Sequence, residues 1–215
     1  MTYNDDLNFL FFSPTKIIFG TGSLKELPAE LDAAGGNRAV IVTDDFLRGN
    51  TGIIEQAGNF LGKRCAGVFS GVPSDSGVHA VEDVARFAKD AGADSLVSIG
   101  GGSVIDTAKG AAILVKEGGG LRDYEGFQNL TRKIAPHIAV PTTAGTGSEV
   151  TYVAVIKDHE NHRKLLFGDY HLIPDSAILD PALTATMPAG LTAATGMDAM
   201  SHAIEAMHSQ QREPV

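Results

Sequence analysis

Short β-branched runs alternating with stretches of helical period confine this chain to one class of fold. KIIFG at 16–20 and AVIVTDD at 39–45 have strand composition, and GSLKELPAELDAAG between them spaces its apolar residues as a helix does. GIIEQAGNFLG, RCAGVFSGV, SGVHAVEDVARFAKDAG, SLVSIGGGS and VIDTAKGAAILVKEG continue the alternation. HIAVPTTAGTGSEV then runs from a strand through a turn into an expected helix start. Parallel neighbours need long crossovers, and a helix is the usual one. The expected fold is therefore α/β, a Rossmann-like parallel sheet covered by helices.

Two runs depart from the pattern. TYVAVIKD and HRKLLFGD flank the polar HENH and predict an antiparallel hairpin. Past AILDPALTATMP no strand-forming run recurs, and AGLTAATGMDAMSHAIEAMHSQQ is Ala- and Met-rich and helical. The sequence thus divides into an α/β domain over 1–185 and, over 186–215, the beginning of a helical domain. The second segment is shorter than the roughly 40 residues a chain needs to bury a core unaided, so it is expected to be the truncated start of something longer.

Charge narrows the partners. The formal net charge is −9, which repels phosphate backbones and anionic membranes, so neither nucleic acid nor a membrane is an expected partner. The early apolar run LNFLFF is too short for a span and lacks the flanks of a signal peptide. The lone Cys65 has no partner for an internal disulfide, fits a reducing, cytoplasmic setting, and is expected to be a buried thiol without chemistry.

Three stretches carry chemistry. SIGGGSVIDTAKG (98–110) puts glycines and a serine at the carboxyl end of a strand where a helix opens, and glycines with unpaired helix N–H groups suit a pyrophosphate. It is neither GxGxxG nor a P-loop, and a tight βα turn without a ligand is the alternative. PTTAGTGSEV (141–150) repeats the arrangement with Thr142, Thr143, Thr146 and Ser148 as hydroxyl donors. Two such turns on consecutive strand ends favour a nucleotide site. IVTDD ends an earlier strand with Asp44 and Asp45, where a carboxylate either accepts hydrogen bonds from an adenosine ribose, favouring NAD over NADP, or caps the next helix.

A fourth stretch, TGMDAMSHAIEAM, sets Asp198 and His202 four residues apart on one helix face. A carboxylate and an imidazole suit Fe²⁺, Zn²⁺, Mn²⁺ or Ni²⁺, although such a pair on a surface helix is usually solvated. A metal takes three or four protein ligands, and only Glu205 is close enough in sequence to share the face. His159 and His162 flank a polar turn and read most simply as solvated.

Taken together, VTDD, SIGGGSVIDTAK, VPTTAGTGSEV, HRKLL, AILDPAL and TGMDAMSHAIEA closely resemble, in colinear order from about Phe11 onward, the iron-containing (group III) alcohol dehydrogenases. The resemblance implies an N-terminal domain binding NAD(P) and a helical domain holding Fe²⁺ in the cleft between them. It implies a ribose-facing acid at Asp44, a pyrophosphate loop at Gly101, Gly102 and Ser103, and cofactor contacts at Thr142, Thr143, Thr146, Thr151, Val153 and Lys164. Leu183 is implied beside the adenine, and Asp198 and His202 as metal ligands that carry the catalysis. Where members of the family typically have Asn before a second Pro, this chain reads VPSD, which places Ser74 at a nicotinamide-side contact. The implied activity is NAD-dependent interconversion of alcohols with aldehydes or ketones by a homo-oligomer, and the absence of the family's further His ligands implies an inactive fragment. The alternatives are a Zn²⁺-dependent glycerol or polyol dehydrogenase of the same superfamily, or a nucleotide-binding module without catalysis.

Overall fold

The structure is a computed structural model that describes residues 11–209, so the start of LNFLFF and the end of SQQREPV lie outside the described residues. In chain order the elements are β1 (Lys16–Phe19), α1 (Leu27–Ala33), β2 (Ala39–Val42), α2 (Asp45–Asn50), α3 (Ile53–Leu61), β3 (Cys65–Phe69), α4 (Val78–Asp90), β4 (Ser95–Gly100) and α5 (Gly102–Glu117). There follow β5 (Gly126–Phe127), β6 (His137–Pro141), β7 (Val153–Asp158), β8 (Arg163–Gly168), β9 (Ser176–Leu179) and α6 (Ala189–His208).

Six strands make one sheet in the order β1-β9-β6-β4-β2-β3, every pair parallel. Strand alternation sends side chains to two cores: Val40, Val42 and Leu96 pack under α4 and α5, while Ala39, Ile41, Val97 and Ile99 pack under α1 and α3. That is why β2 reads as an unbroken apolar run and why β2 and β4 are buried at every position, the two serines of β4 included. From β2 the chain moves outward to β3, then returns across β2 to β4 and proceeds the other way. The crevice outside the carboxyl ends of β2 and β4 is the point where an open α/β sheet takes its ligands.

The expected hairpin is present, with β7 and β8 antiparallel from Val153↔Gly168 to Asp158↔Arg163 and β5 added beside β8. It packs on α5 through Ala154, Ile156, Leu165 and Phe167. Covered by the sheet, α4 and the hairpin together, α5 is buried at every position from Val104 to Leu114. No helix starts after the Thr-rich turn: residues 148–150 form a turn that leads into β7. Cys65 is half-buried rather than buried, because β3 is an edge strand, and its thiol lies 3.7 Å from the Gly67 carbonyl. His159 is not simply solvated, since its Nε2 lies 3.3 Å from the Asp75 carbonyl. Among the described residues no helix is long and apolar enough to cross a membrane.

One buried histidine predicts how the fold responds to acid. His137, fully buried at the start of β6, has Nε2 at 2.8 Å from Ser98 Oγ and no partner for Nδ1. Burial, with Lys109 and Lys133 nearby, pushes its pKa down to about 3. The folded value lies below the unfolded one, so the unfolded chain binds the extra proton and stability is lost as pH falls from about 6.5 towards 3. The slope is about 1.4 kcal/mol per pH unit. His137→Gln, which keeps a partner for Ser98 without titrating there, is expected to remove that slope in urea unfolding between pH 7 and 4. Parallel pH profiles for the two proteins would contradict the assignment.

Candidate functional site

A cleft of about 580 Å³ opens at the carboxyl ends of β2, β4 and β6. Each strand end brings a different chemistry to it.

After β2, Asp44 caps α2: its Oδ1 accepts from the Leu47 N–H at 2.8 Å. Among the described residues Oδ2 has no hydrogen-bond partner, and the residue lines the cleft. The two alternatives weighed for Asp44 are therefore compatible, one oxygen for each. Leu47 is buried in the core beneath, which fixes α2 in place.

After β4, Gly101 is the N-cap of α5 and no side chain caps the helix, so its first-turn amides face the cleft unclaimed by a side chain. The Ser103 hydroxyl donates to the Ser74 carbonyl at 2.6 Å, fastening the 71–77 loop to the helix start. Ser74 enters the cleft wall beside Val72 and Pro73. The same loop is tied to the hairpin through Asp75 and Lys157, an ion pair that, with its hydrogen bond foremost, holds the Asp75 carboxyl below its ordinary range.

After β6, Thr142, Thr143 and Thr146 line the opposite wall. The two glycine-rich turns touch: a Cβ on Gly101 would stand 3.3 Å from Thr143 Oγ1, and one on Gly102 2.8 Å from both Thr146 Oγ1 and Cγ2. Thr146 Oγ1 in turn accepts from the Ser148 N–H at 3.2 Å. Glycine at 102 is thus a requirement of close approach, not merely of turn formation.

Asp44 is the only charged side chain among the described residues lining the cleft. An anionic ligand would meet amides, hydroxyls and the positive end of α5 rather than a lysine or arginine.

Leu183, Met187, Pro188, Leu191 and Thr195 close the remaining side. Leu191 and Thr195 belong to α6, and about one and two turns further along that helix stand Asp198 and His202, with His202 Nε2 3.9 Å from Asp198 Oδ1. Gly145 makes room for this helix, since a Cβ there would stand 3.0 Å from Thr195 Cβ and 3.2 Å from Asp198 Oδ2. The Asp198 carboxylate therefore faces the Thr-rich turn, while neither Asp198 nor His202 lines the cleft itself. The pair is chemically suited to a divalent cation. Among the described residues no group of three His, Cys, Asp or Glu side chains comes together, so Glu205 does not join them.

Of the residues singled out from sequence, Asp44, Ser74, Gly101, Gly102, Ser103, Thr142, Thr143, Thr146 and Leu183 line this one cleft. Thr151, Val153 and Lys164 do not. The Thr151 and Val153 carbonyls are instead taken by Lys109, whose Nζ donates to them at 2.8 Å each and to Thr151 Oγ1 at 3.1 Å. Lys164 stands opposite Lys157 across the hairpin, exposed. Sequence reasoning also passed over Phe46 and Lys109. Phe46 carried a usable signal, an aromatic two residues beyond an acid at a strand end.

The model of the family described as iron-containing alcohol dehydrogenase matches residues 14–181. The chain is 42% identical over 212 residues to the NAD-dependent methanol dehydrogenase of Bacillus methanolicus, covering 95% of this chain and 54% of that protein. It is 44% identical over 195 residues to the 4-hydroxybutyrate dehydrogenase of Cupriavidus necator, covering 89% and 50%. The crystal structure of sulfoacetaldehyde reductase from Bifidobacterium kashiwanohense in complex with NAD⁺ superposes with a TM-score of 0.91 at 32% identity, covering 97% of this chain and 56% of that one. The chain spans about half the length of the curated relatives it matches.

Proposed function

This chain belongs to the iron-containing alcohol dehydrogenase family, and on that premise we propose that it forms the cofactor-binding part of an NAD-dependent oxidoreductase interconverting alcohols with aldehydes or ketones. The observation that carries the reading is the meeting of two glycine- and threonine-lined turns at the ends of β4 and β6, in a cleft whose far wall leads directly to a carboxylate and an imidazole.

In this reading the amides at the start of α5 and the hydroxyls of Thr142, Thr143 and Thr146 hold a pyrophosphate. Asp44 Oδ2 accepts from the adenosine ribose and repels a 2′-phosphate, which selects NAD over NADP. Leu183 supplies an apolar wall for the adenine, and the 71–77 loop, pinned by Ser103, borders the nicotinamide side. Asp198 and His202 are two of the ligands for a divalent metal, iron by family, with zinc as the alternative. What the bound groups supply is Lewis acidity toward an alcohol oxygen and a hydride acceptor. The chain's own part is orientation and exclusion of water by the apolar wall at Met187, Pro188 and Leu191. Thr151 and Val153 act on the cofactor through the turn that their carbonyls tie to Lys109. Residues 1–185 are the cofactor-binding unit in this reading and 186–215 belong to the metal-binding part. The two ligands present are fewer than the three or four such an ion takes.

Calorimetric titration tests this directly. The 215-residue chain is expected to bind NAD⁺ at least tenfold more tightly than NADP⁺, and Asp44→Ala is expected to close that gap. It is expected to oxidise alcohols poorly or not at all with NAD⁺ and added Fe²⁺. A chain that binds neither dinucleotide contradicts the cofactor reading, and rapid turnover by the isolated chain contradicts the assignment of an incomplete ligand set.

A further inference from the structure

The cleft has one aromatic side chain in its wall, Phe46, and nothing in the cofactor reading uses it. It lies in the first turn of α2, two residues after Asp44, so it stands at the end of the cleft assigned to the adenosine. Its side chain is 55% exposed, while the next residue, Leu47, is 7% exposed and locked into the core. The helix is therefore held firmly while about half of Phe46 stays open to solvent. An aromatic ring fixed from behind and open in front is a stacking platform for a flat base.

We infer that Phe46 is an adenine-stacking residue of this chain, recognising the purine ring of its dinucleotide. The inference rests on the dinucleotide reading above and adds to it a contact that the glycine and threonine turns do not provide. Those turns hold phosphate and are indifferent to the base, whereas a ring at Phe46 rewards a planar π-face. Apart from the Asp44 carboxylate and the Met187 thioether, the rest of the cleft lining has aliphatic carbon, hydroxyls and amides to offer a base.

The composition supplies an unusually clean test. The chain contains no tryptophan, so Phe46→Trp places a single indole at the proposed contact. Saturable quenching of its emission by ADP-ribose, with no response to nicotinamide mononucleotide over the same range, is the expected result. Phe46→Ala is expected to raise the dissociation constants of NAD⁺ and ADP-ribose about tenfold with the melting temperature unchanged, since an exposed ring contributes little to the core. Quenching by nicotinamide mononucleotide and not by ADP-ribose would overturn the inference, as would an NAD⁺ affinity that Phe46→Ala leaves within twofold. If the unmodified chain binds no NAD⁺, the dinucleotide reading and the inference fall together. If it binds NAD⁺ and Phe46→Ala binds equally well, the inference alone falls.

Discussion

Replacing Lys109 by methionine is expected to lower the stability of the chain by about 3–5 kcal/mol, a loss normally reserved for breaking a buried charge network from one side. Lys109 is fully buried in the middle of α5, where methionine would match its length and keep its apolar stem packed. The cost lies at the ammonium. Its Nζ satisfies the Thr151 carbonyl, the Thr151 hydroxyl and the Val153 carbonyl, at the irregular place where the Thr-rich turn becomes β7. One turn earlier on α5, Asp106 Oδ2 accepts from the Val155 N–H at 3.0 Å, and among the described residues its Oδ1 has no hydrogen-bond partner. Without the cation the Thr151 carbonyl loses its donor, the Val153 carbonyl keeps only the longer bond from the Thr151 hydroxyl at 3.3 Å, and the buried Asp106 carboxylate loses its nearby opposite charge. Each unpaired buried group costs about 1–3 kcal/mol. Burial pulls the Lys109 pKa down to about 8, opposed by Asp106 and Glu149. Urea unfolding at pH 7 measures the loss as a lower midpoint. Adding Asp106→Leu to Lys109→Met is expected to recover part of it, because the stranded carboxylate goes too. A single-mutant loss below 1 kcal/mol would show that the hairpin onset is held by other means.

Lys109 also marks where the sequence stops being informative. The alternation of strand and helix, the hairpin around HENH and the two glycine-rich turns are local signals, written in periodicity and turn chemistry, and the structure realises each of them. Thr151 and Val153 look like site residues because they follow the Thr-rich turn closely, yet what matters in the fold is their carbonyls, which every residue type carries. Their partner lies 42 and 44 residues earlier in the chain. No spacing rule reaches that far. The six-residue α2 is hidden for another reason: it is too short to show a helical period, and only its Asp44 cap announces it. Phe46 goes unnoticed with it. The helix expected after Thr146 fails because the Thr146 hydroxyl is bonded to both the hydroxyl and the N–H of Ser148 within the turn, the Gly147 carbonyl accepts from the Val150 N–H, and Gly147 adopts a positive φ of 65°.

Gly102→Ala, by contrast, is expected to leave stability nearly untouched and to cost at least tenfold in NAD⁺ affinity. One methyl group is enough, because its place is 2.8 Å from both Thr146 Oγ1 and Cγ2. Contacts that short are not sustained, so one of the two turns has to retreat. The α5 start is fastened by the Ser103–Ser74 bond and by a helix buried along its length, whereas the Thr-rich turn is held by short-range bonds of its own. Thr146 is therefore the side that yields, taking with it the Ser148 N–H that it accepts and the wall facing the α5 amides. Thr146→Ala in the same chain removes both crowding atoms, so the double variant is expected to regain affinity beyond the sum of the single effects, the mark of two residues coupled by contact. Gly196→Ala, on α6 with nothing within 4 Å of the added carbon, serves as the matched control and is expected to bind as the parent does. Calorimetry on the five proteins, the parent, the two single variants, the double variant and the control, decides it. If Gly102→Ala binds NAD⁺ as tightly as the parent, the facing turns are a packing feature of the sheet edge, and the pyrophosphate has to be sought elsewhere on the molecule.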